Sequence, residues 1–317
     1  MPDYVICARD IRGKTFGSEP APSSYLFVPD EGQPRPSKDQ LQDSKKWATK
    51  VMAEARRGVP SGGEGNILVF VHGYNNDQKI VMERHRRLRD DLRAANFKGI
   101  VVSFDWPSGD VGAFYLEDLT DAHKSAYQLV GDGIVLLASM QQPDCNVNIH
   151  ILAHSMGAYV TREAFTAADD VADLTGRAWH ISQAMLIAPD ISSRSMGTDD
   201  HRSNGLYRNC MRLTCYSSRH DDVLKLSNIK RAGVAERAGR GGLPNDAPPH
   251  ALNVDCSDYW TSIPKTQKKI GSPEHSWHIG DPVFTRDMVD TMNGVARDVM
   301  ATRESIGPNR FKLVRPA

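Results

Sequence analysis

Short, almost unbroken apolar runs recur along this chain, each bounded by Gly, Pro, Asn, Asp or other turn-forming residues. They cover residues 4–8, 67–71, 99–104, 147–153, 184–188, 212–217 and 251–256. A run of this length without polar alternation is what a strand covered on both faces looks like, because neither face meets water. Between the runs the apolar spacing turns helical. Residues 45–56 carry Trp47, Val51 and Ala55 on one stripe; residues 77–95 carry Ile80, Val81, Leu88 and Leu92. Residues 119–140, 158–169 and 282–303 continue the pattern. Strands alternating with helices predict an α/β fold, with a mostly parallel, doubly wound sheet flanked by helices. Residues 17–38 and 231–250, rich in Pro, Gly and Ser, read as loops. Residues 1–317 read as one domain. Residues 1–60 form an N-terminal extension, an extra strand pair and a helix packed on the sheet edge, and residues 61–317 form the core.

Composition narrows the partners. Hydrophobic residues make up 40% of the 317, enough for a real core, and 39 basic side chains balance 39 acidic ones. That balance gives no electrostatic case for nucleic acid or an anionic membrane. The basic clusters at Arg84–Arg89 and Lys268–Lys269 read as solvated faces. The first residues lack a basic stretch followed by a long apolar one, and no apolar run reaches the roughly 18–20 residues a membrane span needs. A cytoplasmic location is the expectation. The five cysteines, Cys7, Cys145, Cys210, Cys215 and Cys256, lack C-x-x-C spacing and read as free thiols. No metal or organic cofactor is expected.

The chemistry concentrates where the fourth strong run meets the next helix. Residues 147–153 lead into His154-Ser155-Met156-Gly157-Ala158. A serine on a sharp strand-to-helix turn sits in strained backbone, so the residues two before and two after it must be small. Ala153 and Gly157 meet that need. Residues 67–71 lead into His72-Gly73-Tyr74-Asn75-Asn76. Acyl transfer needs N–H donors at the oxygen that becomes negative. In this architecture Met156, next after the serine, and Tyr74, just past the His-Gly pair, supply them. His72 reads as a brace for the loop.

A serine nucleophile needs a base, and the base needs an orienting carboxylate, in the chain order Ser, acid, His. Asp221, Asp222 and Asp190 compete as the acid, and Asp221 lies closest to a strand end. His275 is the leading base; His278 is its near neighbour.

The stretches VFVHGYNN (69–76), SFDWPSGD (103–110), YLED (115–118), ILAHSMGAYV (151–160), LIAPDIS (186–192), YSSRHDDVLKLS (216–227) and HSW (275–277) fall in order along the chain. In that combination the sequence resembles the α/β-hydrolases long filed as a domain of unknown function in bacterial genomes. The resemblance implies an α/β-hydrolase fold and ester hydrolysis. It also places the acid at Asp221, by matching Val223-Leu224 to the family's S-x-x-D-x-A-L pattern, and the base at His275. The doublet Asp221-Asp222 departs from that pattern.

Trp106 and Trp277 are candidate walls of the substrate cleft, with Met196 and Met211 as further apolar candidates. Tyr115 and Asp118 are candidate braces of the surrounding loops, and residues 192–209 a short lid. The expected activity is cleavage of small to medium acyl esters by a Ser155-His275-Asp221 triad. Acyl transfer, thioester cleavage or amide cleavage by the same triad is the near alternative. A non-catalytic binding scaffold is the alternative from another class, and scaffolds of that kind usually lack one triad member. The partner expected is a small-molecule ester, with no nucleic acid or membrane. Oligomeric state is left open.

Overall fold

A computed structural model describes residues 2–31, 35–108, 115–139, 146–170, 180–230, 236–264 and 272–316. The chain runs β1 (Asp3–Arg12), β2 (Thr15–Val28), β3 (Leu41–Gln42), α1 (Ser44–Ala55), β4 (Gly65–Val71), α2 (Gln78–Ala94), β5 (Ile100–Asp105) and α3 (Tyr115–Gln128). It continues with β6 (Val147–His154), α4 (Met156–Asp170), β7 (Ile181–Ile187), β8 (Cys210–Ser217), α5 (Asp222–Lys230), β9 (Ala251–Asp255), α6 (Pro282–Met292), β10 (Arg303–Gly307) and β11 (Arg310–Leu313). These strands form one sheet in the order β10-β11-β9-β8-β7-β6-β4-β5-β1-β2-β3. From β11 to β1 every neighbouring pair is parallel. The two edges turn antiparallel. This is the mostly parallel, doubly wound α/β sheet that the apolar runs predict.

Strand β4 shows why the runs are continuous. All of Gly-Asn-Ile-Leu-Val-Phe-Val is buried. Ile67, Val69 and Val71 join a core with Trp47 of α1 and Phe165 of α4, while Leu68 and Phe70 join one with Leu88 of α2 and Met288 of α6. Successive side chains point to opposite faces, so a sheet covered twice needs apolar residues at every position. The helices begin where a side chain can accept from their free N–H groups. Asp43 accepts from Lys46, and Asp77 from Ile80. Asp281 accepts from Val283 and Phe284, with Pro282 at the first helical position. No described helix is long and apolar enough to cross a membrane.

The structure corrects the element boundaries in several places. Residues 15–28 are a strand, not loop, despite Pro20 and Pro22. Pro20 lies opposite Arg9 of β1 between two register shifts, an irregular stretch of an edge pairing where a missing N–H is tolerated. The helix predicted over 282–303 stops at Met292, because Asn293 caps it and Gly294 turns the chain with φ 72°. The residues beyond it form the β10–β11 hairpin. The helix expected from 119 starts at Tyr115 and, after Gln128, widens to a π-helical stretch at Leu129–Val135. Residues 238–241, inside the expected loop, form one short helical turn. Cys7, Cys210, Cys215 and Cys256 are buried free thiols; Cys145 lies outside the described residues.

A buried ion pair ties the carboxyl-terminal half together. Arg303 of β10 meets Asp287 of α6 twice, at 2.6 and 2.8 Å. Asp287 also accepts from Tyr216 of β8 and Thr302, each at 2.7 Å. Removing one partner strands the other charge. Asp287→Ala is therefore expected to cost about 3–5 kcal/mol, read as a lower midpoint in urea unfolding.

Candidate active site

Ser155 is the turning point between β6 and α4. Its φ is 55°, a left-handed conformation that costs a serine on the order of 1–3 kcal/mol. Neighbouring strands hold it there. Its N–H donates to Ile187 O at 2.9 Å, and its carbonyl accepts from Ala158 and Asp190, each at 3.1 Å. Gly157 must be glycine: a Cβ there lies 2.4 Å from the carbonyl oxygens of both Val71 and His72. Gly73 is tight too, since a Cβ lies 2.9 Å from Ser155 Cβ and 3.0 Å from His154 Nδ1. The loop after β4 thus lies directly against the serine. Met156 is buried at the start of α4, and Tyr74 follows Gly73 in that loop, half-buried.

That loop is braced from below. His72 is buried; Trp106 N–H donates to its Nε2 at 3.2 Å, so its Nδ1–H donates to Gly73 O at 2.8 Å. Burial pushes His72 below its ordinary range against the pull of Asp105, which keeps it neutral and fits this tautomer. Asn76 Nδ2 donates to Gly73 O at 2.7 Å and Tyr74 O at 3.0 Å. Arg9 of β1 donates to Asp105 at 2.8 Å, Trp106 O at 2.9 Å and Asn76 O at 3.2 Å. Gln78 donates to the other oxygen of Asp105 at 2.9 Å. Burial alone raises Asp105, but the Arg9 guanidinium, helped by the Gln78 hydrogen bond, outweighs it and holds this carboxyl well below the usual range.

Asp221 and His275 meet across 54 residues of sequence. His275 Nδ1 donates to Asp221 Oδ2 at 2.6 Å. Asp221 Oδ1 accepts from Leu224 N–H at 3.0 Å, and Arg240 donates to the Asp221 carbonyl at 2.5 Å. Asp221 is 1% exposed and His275 6%, so water competes little for the pair. With Nδ1 engaged, Nε2 of His275 is the nitrogen left for proton transfer. His154, beside Ser155, donates from Nε2 to His275 O at 3.0 Å, and the two rings lie 4.7 Å apart. That contact brings the histidine segment to the serine turn.

The rival acids point elsewhere. Asp222 faces solvent and lies 3.9 Å from Arg240. Asp190 is buried against Ser227 at 2.9 Å and Arg237 at 3.3 Å. His278 is buried, stacked 4.1 Å from Trp277, and burial pushes it well below its ordinary range.

Both tryptophans expected at the cleft are corrected. Trp106 is fully buried; it stacks on His72 and donates to its carbonyl at 2.8 Å, so it floors the loop after β4. Trp277 is 4% exposed and packs among Tyr259, Trp260, His278 and Phe284. Met196 is buried in the core, and Met211 is exposed at the start of β8. The side chains of Tyr115 and Asp118 lie outside the described residues.

Arg84 is the residue the sequence reading misplaces most. It does not join a solvated face; it is buried and reaches His154 Nδ1 at 3.5 Å and Ser276 Oγ at 3.3 Å. Its spacing with Leu88 and Leu92 is the signal that placed it inward. Arg86 and Arg89 pair with buried Asp3. Lys268 and Lys269 lie outside the described residues.

A family model described as "Alpha/beta hydrolase of unknown function (DUF900)" matches residues 48–248. An uncharacterized protein, alr1448, of Nostoc sp. (strain PCC 7120 / SAG 25.82 / UTEX 2576) is 22% identical over 224 residues. That match covers 56% of this chain and 57% of the relative, so the chain spans just over half of that protein's length. Among solved structures, a cutinase-like protein from Cryptococcus sp. is 14% identical, covering 73% of this chain and 96% of that one, with a TM-score of 0.34. Aspergillus fumigatus lipase B is 12% identical, covering 91% of this chain and 64% of that one, with a TM-score of 0.44.

The Arg9–Asp105 pair generates a test with a definite sign. Arg9→Met leaves the Asp105 charge buried beside His72, and is expected to cost about 3–5 kcal/mol near neutral pH. A depressed carboxyl stabilises the fold above its unfolded value, about 3.9, and that stability is lost as pH falls through the folded value. The gap between wild type and Arg9→Met in urea unfolding therefore narrows as pH falls, beginning where the buried Asp105 of the variant, raised by burial, takes up its proton.

Proposed function

The chain belongs to the α/β-hydrolase family of unknown function matched over residues 48–248, and from that premise we propose that it is a serine carboxylic ester hydrolase. The observation that carries the reading is the buried 2.6 Å bond from His275 to Asp221, with the histidine segment held against the Ser155 turn through His154. In the proposed reaction Ser155 Oγ attacks the ester carbonyl carbon, and its proton passes to His275 Nε2. Asp221 holds the tautomer with Nδ1 protonated and stabilises the imidazolium that forms. The N–H groups of Tyr74 and Met156 receive the oxyanion. Collapse breaks the bond to the alcohol oxygen, which takes the proton from His275 and leaves. Water then adds to the acyl-serine, gives its proton to His275, and releases the carboxylic acid as Ser155 recovers its hydrogen.

The substrates proposed are small to medium acyl esters. Acyl transfer or thioester or amide cleavage would use the same residues, and a panel varied in leaving group and acceptor separates them. A fluorophosphonate probe is expected to label Ser155 and nothing in Ser155→Ala. Asp221→Asn is expected to lower turnover of a short p-nitrophenyl ester by about 10⁴-fold, whereas Asp222→Asn stays near wild type. A loss in Asp222→Asn of the same size, with Asp221→Asn active, would overturn the assignment of the acid.

A further inference from the structure

The amino-terminal ends of the parallel strands, away from Ser155, hold a cavity of about 190 Å³. It lies between the last turns of α1 and α2 and the first residues of β1 and β5. Tyr4, Glu54, Arg57, Arg93, Phe97 and Lys98 are among the residues that line it. Two of its polar groups are buried and unmet. Tyr4 is 2% exposed, and its hydroxyl has no hydrogen-bond partner among the described residues. Glu54 is 5% exposed. Its Oε1 receives Arg57 at 2.5 Å and Lys50 at 3.2 Å, but its Oε2 has no partner.

Buried polar groups are nearly always satisfied, and leaving one unmet is costly. Burial, with the Glu54 carboxylate nearby, pushes the Tyr4 phenol up, so the hydroxyl keeps its proton and seeks an acceptor. Glu54 Oε2 seeks a donor. The two do not bond to each other. A bridging water needs roughly 10–15 Å³, about an order of magnitude less than the space present. Toward the surface the charge is positive. Lys98 makes no ion pair among the described residues, and Arg93 is exposed and only 3.9 Å from Asp90. Phe97 and Leu92 add an apolar wall.

We propose that this cavity binds a small carboxylate that also carries a hydroxyl group beside an apolar side chain, as in a hydroxy acid. The hydroxyl bridges the two, accepting from Tyr4 Oη and donating to Glu54 Oε2. The carboxylate meets Arg93 and Lys98, and the apolar part lies against Phe97. The eight-residue strand β6 separates this end of the sheet from Ser155 by roughly 25 Å, so the site stands apart from the hydrolase reading.

Calorimetric titration of the full chain with four probes tests this. Phenyllactate carries both the hydroxyl and the carboxylate; phenylalanine replaces the hydroxyl with an ammonium that cannot accept from Tyr4, phenylpropanoate lacks the hydroxyl, and phenylethanol lacks the carboxylate. Phenyllactate is expected to bind about tenfold or more tightly than any of the other three. Tyr4→Phe and Glu54→Gln, with melting temperatures checked, are each expected to weaken it about tenfold. Lys98→Ala should weaken it as well. No binding of phenyllactate, or phenyllactate binding that both Tyr4→Phe and Glu54→Gln leave unchanged, overturns the proposal.

Discussion

The left-handed backbone of Ser155 is the constraint around which the rest of the candidate site is arranged. A serine does not hold φ 55° by itself. It is kept there because β7 supplies the acceptor for its N–H and the chain after β7 donates to its carbonyl. The same turn brings α4 so close to β4 that Gly157 touches two backbone carbonyls. The loop after β4 then has one place to lie, against Ser155 Cβ, and only a glycine at position 73 lets it lie there. Two glycines and one strained serine thus fix the relation of strands β4, β6 and β7 at their carboxyl ends.

Charge does the holding further out. Among the described residues few ionised side chains are buried without a partner, because an isolated charge in the interior costs far more than a paired one. Arg9 and Asp105 join β1 to the ends of β4 and β5 and so anchor the loop that carries Tyr74. Asp287 and Arg303 join α6 to β10, with Tyr216 bringing in β8, the strand that ends near Asp221. The amino-terminal extension is therefore coupled to the site through Arg9, and the carboxyl-terminal hairpin through Arg303. Arg84 is the exception in kind. It is a buried guanidinium that, among the described residues, reaches only His154 and Ser276, both next to candidate catalytic residues.

The two ends of the sheet carry different chemistry for a simple reason. Parallel strands send all their outgoing loops to one end, so Ser155, Asp221 and His275 converge there from β6, β8 and the chain after β9. The opposite end receives incoming loops and helix ends, and there the side chains of α1 and α2 help enclose a cavity in which Tyr4 Oη and Glu54 Oε2 are unmet.

Much of the fold was legible because buried parallel strands leave a strong mark: every position must be apolar, and a small residue must flank the serine turn. The seven runs, the Ser155 turn and the approach of Asp221 before Val223-Leu224 could all be read without coordinates. Edge strands were not legible. Strand β2 tolerates proline and polar residues because one side of it is nearly unpaired, and the β10–β11 hairpin is too short and too exposed for a pattern. Nor did the sequence separate inward from outward among its polar and aromatic residues. Trp106 and Trp277 were plausible walls by position, but the cores they fill are assembled from residues far apart in the chain. What the sequence determined by itself was the order of elements and the local chemistry of the turn, since both depend on neighbours along the chain. The tertiary structure alone decided which aspartate faces His275, that Arg84 turns inward, and that Tyr4 meets Glu54 across an open space. Those are matters of distance between elements, which no local pattern encodes.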